Sequence, residues 1–108
     1  MDIIQDKRHS KRQAVLVRAE IEVLGRPRLA CWVRNISDGG ALLDLVEKGG
    51  LPRAFGLRLA NSSVLLECEI THATKNNYGV VFKPQDGIAG AAMKRAIRNV
   101  QEQLADMG

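Results

Sequence analysis

The sequence predicts a mainly β fold: a six-stranded antiparallel β-barrel with a C-terminal α-helix and a flexible N-terminal arm. Three observations carry this. Residues 14–83 fall into short segments of alternating apolar and polar side chains, separated by turn-rich stretches. From Asp86 onward the hydrophobic period becomes that of a helix. Residues 1–12 are polar and charged and keep neither period, which marks them as an arm leading into the first strand.

The first strand is expected from Ala14 to Leu24, where Val15, Val17, Ala19, Ile21 and Val23 share one face and Arg18, Glu20 and Glu22 the other. Gly25-Arg26-Pro27 turns the chain into a second strand, from about Arg28 to Ile36. That strand carries a conflict of phase. Leu29, Cys31 and Val33 define a buried face, and continuing the alternation would also bury Asn35 and Ser37. Burying such a polar pair is costly, so either a bulge near Arg34 or departure of the strand from the barrel is expected to turn both outward and let Ile36 point in.

A third strand is expected from about Gly40 to Val46, followed by the loop Lys48-Gly49-Gly50-Leu51-Pro52. Strands at about Gly56–Leu59, Val64–Thr74 and Tyr78–Lys83 follow, separated by Asn61-Ser62-Ser63 and Lys75-Asn76-Asn77. Six short strands with hairpin connections favour a closed barrel, because closure removes exposed edges. The helix, at about 86–106, is capped by Asp86 and carries an apolar stripe of Ala89, Met93, Ala96, Ile97, Val100 and Leu104. Packing on the barrel and plugging one end is its expected role, ahead of dimerisation. The organisation is thus an arm, residues 1–12, and one domain, residues 13–108.

Composition narrows the function. The 108 residues suffice for one core, and 45% hydrophobic content is that of a globular chain. There is no apolar run long enough to span a membrane and no apolar signal segment at the N-terminus, so no membrane insertion and a cytoplasmic location are expected. Cys31 and Cys68 lack metal-ligand spacing and are read as buried thiols. A net charge of +4 points to an anionic partner: a nucleotide, a nucleic acid or an acidic protein surface. Lys7, Arg8, Lys11 and Arg12 crowd one segment, and Lys94, Arg95 and Arg98 another. The second cluster is read as a solvated helix face.

Catalysis has little support. The two histidines are His9, in the arm, and His72, expected to be a half-buried strand residue. No nucleophile elbow, phosphate loop or paired metal ligands are visible, so the chain is expected not to be an enzyme and to need no cofactor. A nucleic-acid-binding barrel would need a stacking platform. The four aromatics are Trp32, Tyr78, Phe55 and Phe82, of which the two phenylalanines have core phase and Trp32 is a partly buried strand residue at best able to stack on one base. Nucleic acid is therefore disfavoured.

Two motifs remain. Arg8 and Arg12 stand four apart, each with a planar fork of donors suited to phosphate oxygens or the acceptor edge of a guanine. In Asn35-Ile36-Ser37-Asp38-Gly39-Gly40, Asn35 and Ser37 have short hydrogen-bonding side chains two residues apart, and the glycines permit a tight turn and close approach of a ligand. Order and spacing resemble the PilZ domains, bacterial receptors for cyclic di-GMP whose signature is Arg-x-x-x-Arg followed by Asp/Asn-x-Ser-x-x-Gly. The positions here are Arg8, Arg12, Asn35, Ser37 and Gly40. Ala41-Leu42-Leu43 and Tyr78-Gly79-Val80-Val81-Phe82 are similar to the strands of such domains.

The resemblance implies the same barrel, cyclic di-GMP as ligand and those five residues as its contacts. Lys7, His9, Asp38, Gly39, Arg34 and Trp32 are candidates for additional contacts. Asn35 stands where aspartate is commoner, and Lys7 where an arginine in some relatives accompanies two stacked nucleotides, so one or two ligands are open. Output is expected through a separate, unidentified downstream protein. The alternative is a nucleotide-independent PilZ-like adaptor in motility or pilus machinery, against which the two arginines argue.

Overall fold

The computed structural model describes residues 17–45, 50–59, 62–75 and 77–106. Where side chains alternate in the sequence, strands form: β1 (Val17–Glu22), β2 (Leu29–Ile36), β3 (Gly40–Leu45), β4 (Ala54–Leu59), β5 (Leu65–Ala73) and β6 (Asn77–Phe82). A single helix among the described residues, α1 (Gly87–Asp106), follows. The strands close into a barrel in the order β1-β2-β3-β6-β5-β4, every pair antiparallel, with β4 returning to β1. The expected arm with Lys7, Arg8, His9 and Arg12, the expected opening of the first strand at 14–16, and Val46 lie outside the described residues.

The β1–β2 connection is built where Gly25 was expected to turn the chain. Arg26 N donates to the Val23 carbonyl at 3.0 Å, and Gly25 has φ 79°, which a type II turn requires at its third residue. The first strand therefore ends at Glu22 rather than Leu24, whose side chain is fully exposed. β4 begins at Ala54, two residues before Gly56, because Ala54 and Phe55 already pair with Glu69 and Cys68.

Inside the barrel, Ala19, Ile21, Cys31, Val33, Leu43, Leu57, Leu59 and Leu66 are almost wholly excluded from solvent. Phe55 and Phe82 join this core, as their strand phase requires. No polar or charged side chain is buried among the described residues. The core therefore gains from apolar burial without leaving a hydrogen-bonding group unpaired. Cys31 and Cys68 are free thiols within it, and burial pushes both up to about 12.

α1 packs against β2 and β1, and Met93, Ala96, Ile97 and Val100 complete the barrel core, with Leu104 half-buried beside them. The expected stripe is corrected at one end: Ala89 is exposed, as is its neighbour Ile88, because the first turn of α1 stands clear of the barrel. Asp86 holds the expected N-cap position, immediately before Gly87, and accepts the first helical bond through its backbone. Gly90 N donates to the backbone carbonyl of Asp86 at 3.1 Å, and the Asp86 side chain makes no hydrogen bond among the described residues.

Two bulges interrupt the ladders. In β2 the register shifts between Val33 and Asn35, as the cost of burying Asn35 and Ser37 predicts. In β5 it shifts between Ile70 and His72, and residues 71–73 are exposed. His72 is therefore an exposed residue and not the half-buried one its alternation suggested.

On the outer surface Glu22 is held by two guanidiniums, Arg58 Nη2 at 3.4 Å and Arg28 Nε at 3.2 Å. The hydrogen bond from Arg58 is the main reason its carboxyl lies below the ordinary value of 4.5. A depressed carboxyl pKa stabilises the fold above the unfolded value, and the contribution disappears as pH falls through the folded value. Glu22→Gln is thus expected to lower the melting temperature at pH 7. The difference from the parent protein should shrink from about pH 4.5 downward, and calorimetric melts across pH 7 to 3 check it.

Candidate functional site

The site starts from the β2 bulge. Val33 points into the core, Arg34 and Asn35 both face solvent, and Ile36 returns inward at 4% exposure. Two successive outward residues are what a bulge provides and a regular strand cannot. Asn35 is opposite Leu42 on β3, and its side chain makes no hydrogen bond among the described residues. Its amide is exposed at the surface.

Residues 37–40 form a turn that is tied at both ends. Ser37 N donates to the Gly40 carbonyl at 2.8 Å, the Gly39 N–H donates to Ser37 Oγ at 3.3 Å, and Ser37 Oγ donates to the Gly40 carbonyl at 3.4 Å. From the neighbouring strand β6, Phe82 N donates to the Gly39 carbonyl at 2.9 Å. Gly40 owes its identity to this packing. A Cβ there would stand 2.2 Å from the Val80 carbonyl oxygen on β6. At Gly39 a Cβ would meet open space. Close approach at Gly40 is thus strand to strand, while the bare backbone at Gly39 faces outward.

The other candidates are placed as follows. Arg34 is engaged by Asp44 on β3, with Nη1 2.7 Å from Oδ2, and Asn77 on β6 donates to the same carboxylate. This network braces β2, β3 and β6 beside the bulge. Trp32 is half-buried, opposite Arg18 and Asp44 in register. Asp38 is exposed at the tip of the turn. Lys7, Arg8, His9 and Arg12 lie outside the described residues, yet the chain reaches β1 at the motif's end of the barrel, since Val17 pairs with Val33, two residues before Asn35. Arg12 is five residues before Val17, so its backbone reaches at most about 17 Å from that point.

One feature escaped the sequence. Ser37, Asp38 and Gly39 share a groove of about 470 Å³ with Lys94, Arg98 and Gln101 of α1. Gln101 Nε2 donates to the Ile36 carbonyl at 3.1 Å and so fixes the helix against the motif strand. The cationic cluster read as a solvated face thus has two members beside the motif turn. Their spacing held a signal: Lys94, Arg98 and Gln101 repeat at i, i+4 and i+7, one position after Met93, Ile97 and Val100, so a polar stripe runs alongside the apolar one. A larger concavity of about 1010 Å³, with Leu24, Gly56, Leu65 and Val81 in its walls, contains none of the motif residues.

A helix-capped barrel with a braced Asn-x-Ser-x-x-Gly turn can be compared with known proteins. The PilZ domain family matches residues 6–99, which include both motifs. The chain belongs to the PilZ domain family. PilZ domains are cyclic di-GMP receptors, ligand-binding modules rather than a catalytic family. Among solved structures the chain is similar to the PilZ domain of CeSA from a cellulose-synthesizing bacterium, with a TM-score of 0.62 at 13% identity over 80% of this chain and 93% of that one. At that identity the likeness is one of fold. No curated protein matches the chain. Among the described residues of this PilZ domain no helix is long and apolar enough to cross a membrane, and no three potential metal ligands cluster.

The two glycines of the turn should respond differently to a methyl group. Gly40→Ala is expected to lose about 1–3 kcal/mol of unfolding free energy through overpacking against β6. Gly39→Ala should change it by less than about 0.5 kcal/mol. Urea unfolding of both variants checks this.

Proposed function

We propose that this PilZ domain is a receptor for cyclic di-GMP that takes its ligand at the junction of β2 and β3. The reading rests on one observation above all: the chain enters β1 opposite Val33, beside the exposed Asn35 and the Ser37–Gly40 turn. The segment carrying Arg8 and Arg12 is therefore tethered within reach of those residues. The ligand has two phosphates and two guanines. Arg8 and Arg12 supply forked donors that span phosphate oxygens and guanine acceptor edges, which a lysine would meet only as a point charge. Asn35 offers both a donor and an acceptor, and Ser37 a hydroxyl beside the open backbone of Gly39. Lys7, His9 and Asp38 stand within the same two motifs as additional contacts.

The signal is ordering of residues 1–12 over the bound nucleotide. An arm that docks on binding loses conformational entropy and creates a surface absent from the free protein. A separate protein then reads that surface. The domain transmits ligand occupancy and performs no chemistry on the ligand.

Calorimetric titration with cyclic di-GMP tests the reading. The parent protein is expected to bind, and Arg8→Ala and Arg12→Ala each to weaken binding by about 1.5–3 kcal/mol, roughly tenfold to a hundredfold. The stoichiometry decides between one nucleotide and two. Hydrogen exchange at residues 5–13 should slow strongly with ligand. Absence of heat with the parent protein would replace this reading with that of a nucleotide-independent adaptor, whereas binding with unchanged exchange would remove only the ordering step.

A further inference from the structure

We infer that the groove between the Ser37–Gly39 turn and α1 is a phosphate subsite of the nucleotide site, with Lys94 and Arg98 as its cations. The inference rests on the cyclic di-GMP reading above and extends the site from the barrel onto the helix.

Three features of the groove support it. The first is position. Its barrel wall is the motif turn itself, and its helix wall is the stripe of Lys94, Arg98 and Gln101. At about 470 Å³ it falls within the size range of small-molecule sites, roughly 300–1,000 Å³, and its walls carry a hydroxyl, an amide, the Asp38 carboxylate and two cationic groups.

The second is cationic charge that no ion pair among the described residues neutralises. Lys94 and Arg98 stand one helical turn apart, an arrangement that repels within an isolated helix. Lys94 has Gly90 and Arg98 at its i−4 and i+4 positions, so no carboxylate on the helix stands there to neutralise it. Glu102 follows Arg98 at i+4, and Asp38 faces both cations across the groove, yet neither Lys94 nor Arg98 forms an ion pair among the described residues. A phosphodiester placed between them would relieve the repulsion and accept the forked donors of Arg98.

The third is rigidity. Met93, Ile97 and Val100, each one residue before a member of the polar stripe, are buried in the barrel core. The Gln101 bond to the Ile36 carbonyl locks the helix to the strand that carries Asn35. The two cations are thus held toward the turn by packing that exists without ligand, which keeps the entropic cost of binding low. Arg95 provides an internal contrast: it is also exposed and adjacent in sequence, but does not line the groove.

Titration with cyclic di-GMP of the parent protein, the Lys94→Ala/Arg98→Ala double variant and Arg95→Ala tests the subsite, with thermal melts recorded for each. The double variant is expected to bind at least tenfold more weakly and Arg95→Ala within about twofold of the parent, a smaller loss than one charge-assisted contact would produce. Should the double variant fail to melt cooperatively, Lys94→Ala and Arg98→Ala singly carry the same comparison, each weaker than Arg95→Ala. Unchanged affinity in the groove variants overturns the subsite and leaves the receptor reading intact. So does an equal loss in Arg95→Ala, which would mean a diffuse field rather than contact. A parent protein that does not bind overturns the receptor reading, and the subsite with it.

Discussion

Everything at the motif depends on a change of phase in one strand. β2 must place Cys31, Val33 and Ile36 in the core, and the interval from Val33 to Ile36 is odd. An even alternation cannot satisfy it. The bulge between Val33 and Asn35 resolves the conflict by spending two residues, Arg34 and Asn35, on the outer face. Had the strand continued regularly, Asn35 would have faced the apolar interior and Ile36 the solvent, losing burial and stranding an amide together. The same step that protects the core delivers the Asn35 amide of the motif to the surface, so motif exposure and stability share a single cause. The Arg34–Asp44–Asn77 network then holds the bulged segment against β3 and β6.

The turn that follows is set just as firmly. The 2.2 Å approach of a hypothetical Gly40 Cβ to the Val80 carbonyl shows how closely β3 lies on β6 at that point. With Ser37 bonded to the Gly40 carbonyl and Gly39 accepting from Phe82, the turn has little freedom to adapt. Its glycines therefore do different work. Gly40 lets two strands meet, and Gly39 leaves the outer backbone uncovered. A motif written as one consensus combines a packing requirement with a surface requirement, and only the contacts of each position separate them.

How much could be read from residues alone follows from the range of the forces involved. Strand alternation is local, and it located all six strands to within a few residues of either end. The bulge was also foreseeable, because the penalty for burying Asn35 and Ser37 is large enough to override periodicity. His72 and Ala89 were misplaced for the opposite reason. Nothing local marks where β5 slips or where α1 leaves the barrel, and a small or amphipathic side chain tolerates either environment. Lys94 and Arg98 were taken for a solvated face because a helical period gives the direction of a side chain but not what stands across from it. That depends on the packing of α1 against β2 and β1, a relation between segments some sixty residues apart.

The arrangement also limits how a ligand can alter the protein. The barrel is closed, its interior is apolar throughout the described residues, and four α1 side chains are part of that interior. A deformation of the barrel would open packed core, at a cost of several kcal/mol, which few contacts to an exposed nucleotide could offset. Among the described residues, the part with low cost of movement lies at the margin: the first turn of α1, where Ile88 and Ala89 are exposed. On the reading proposed above, a nucleotide held between motif turn, arm and helix would bridge elements that the barrel itself does not join, leaving the barrel unchanged as a platform. Under that constraint, any signal such a receptor passed to a partner would lie in which surfaces are brought together, rather than in a change of fold.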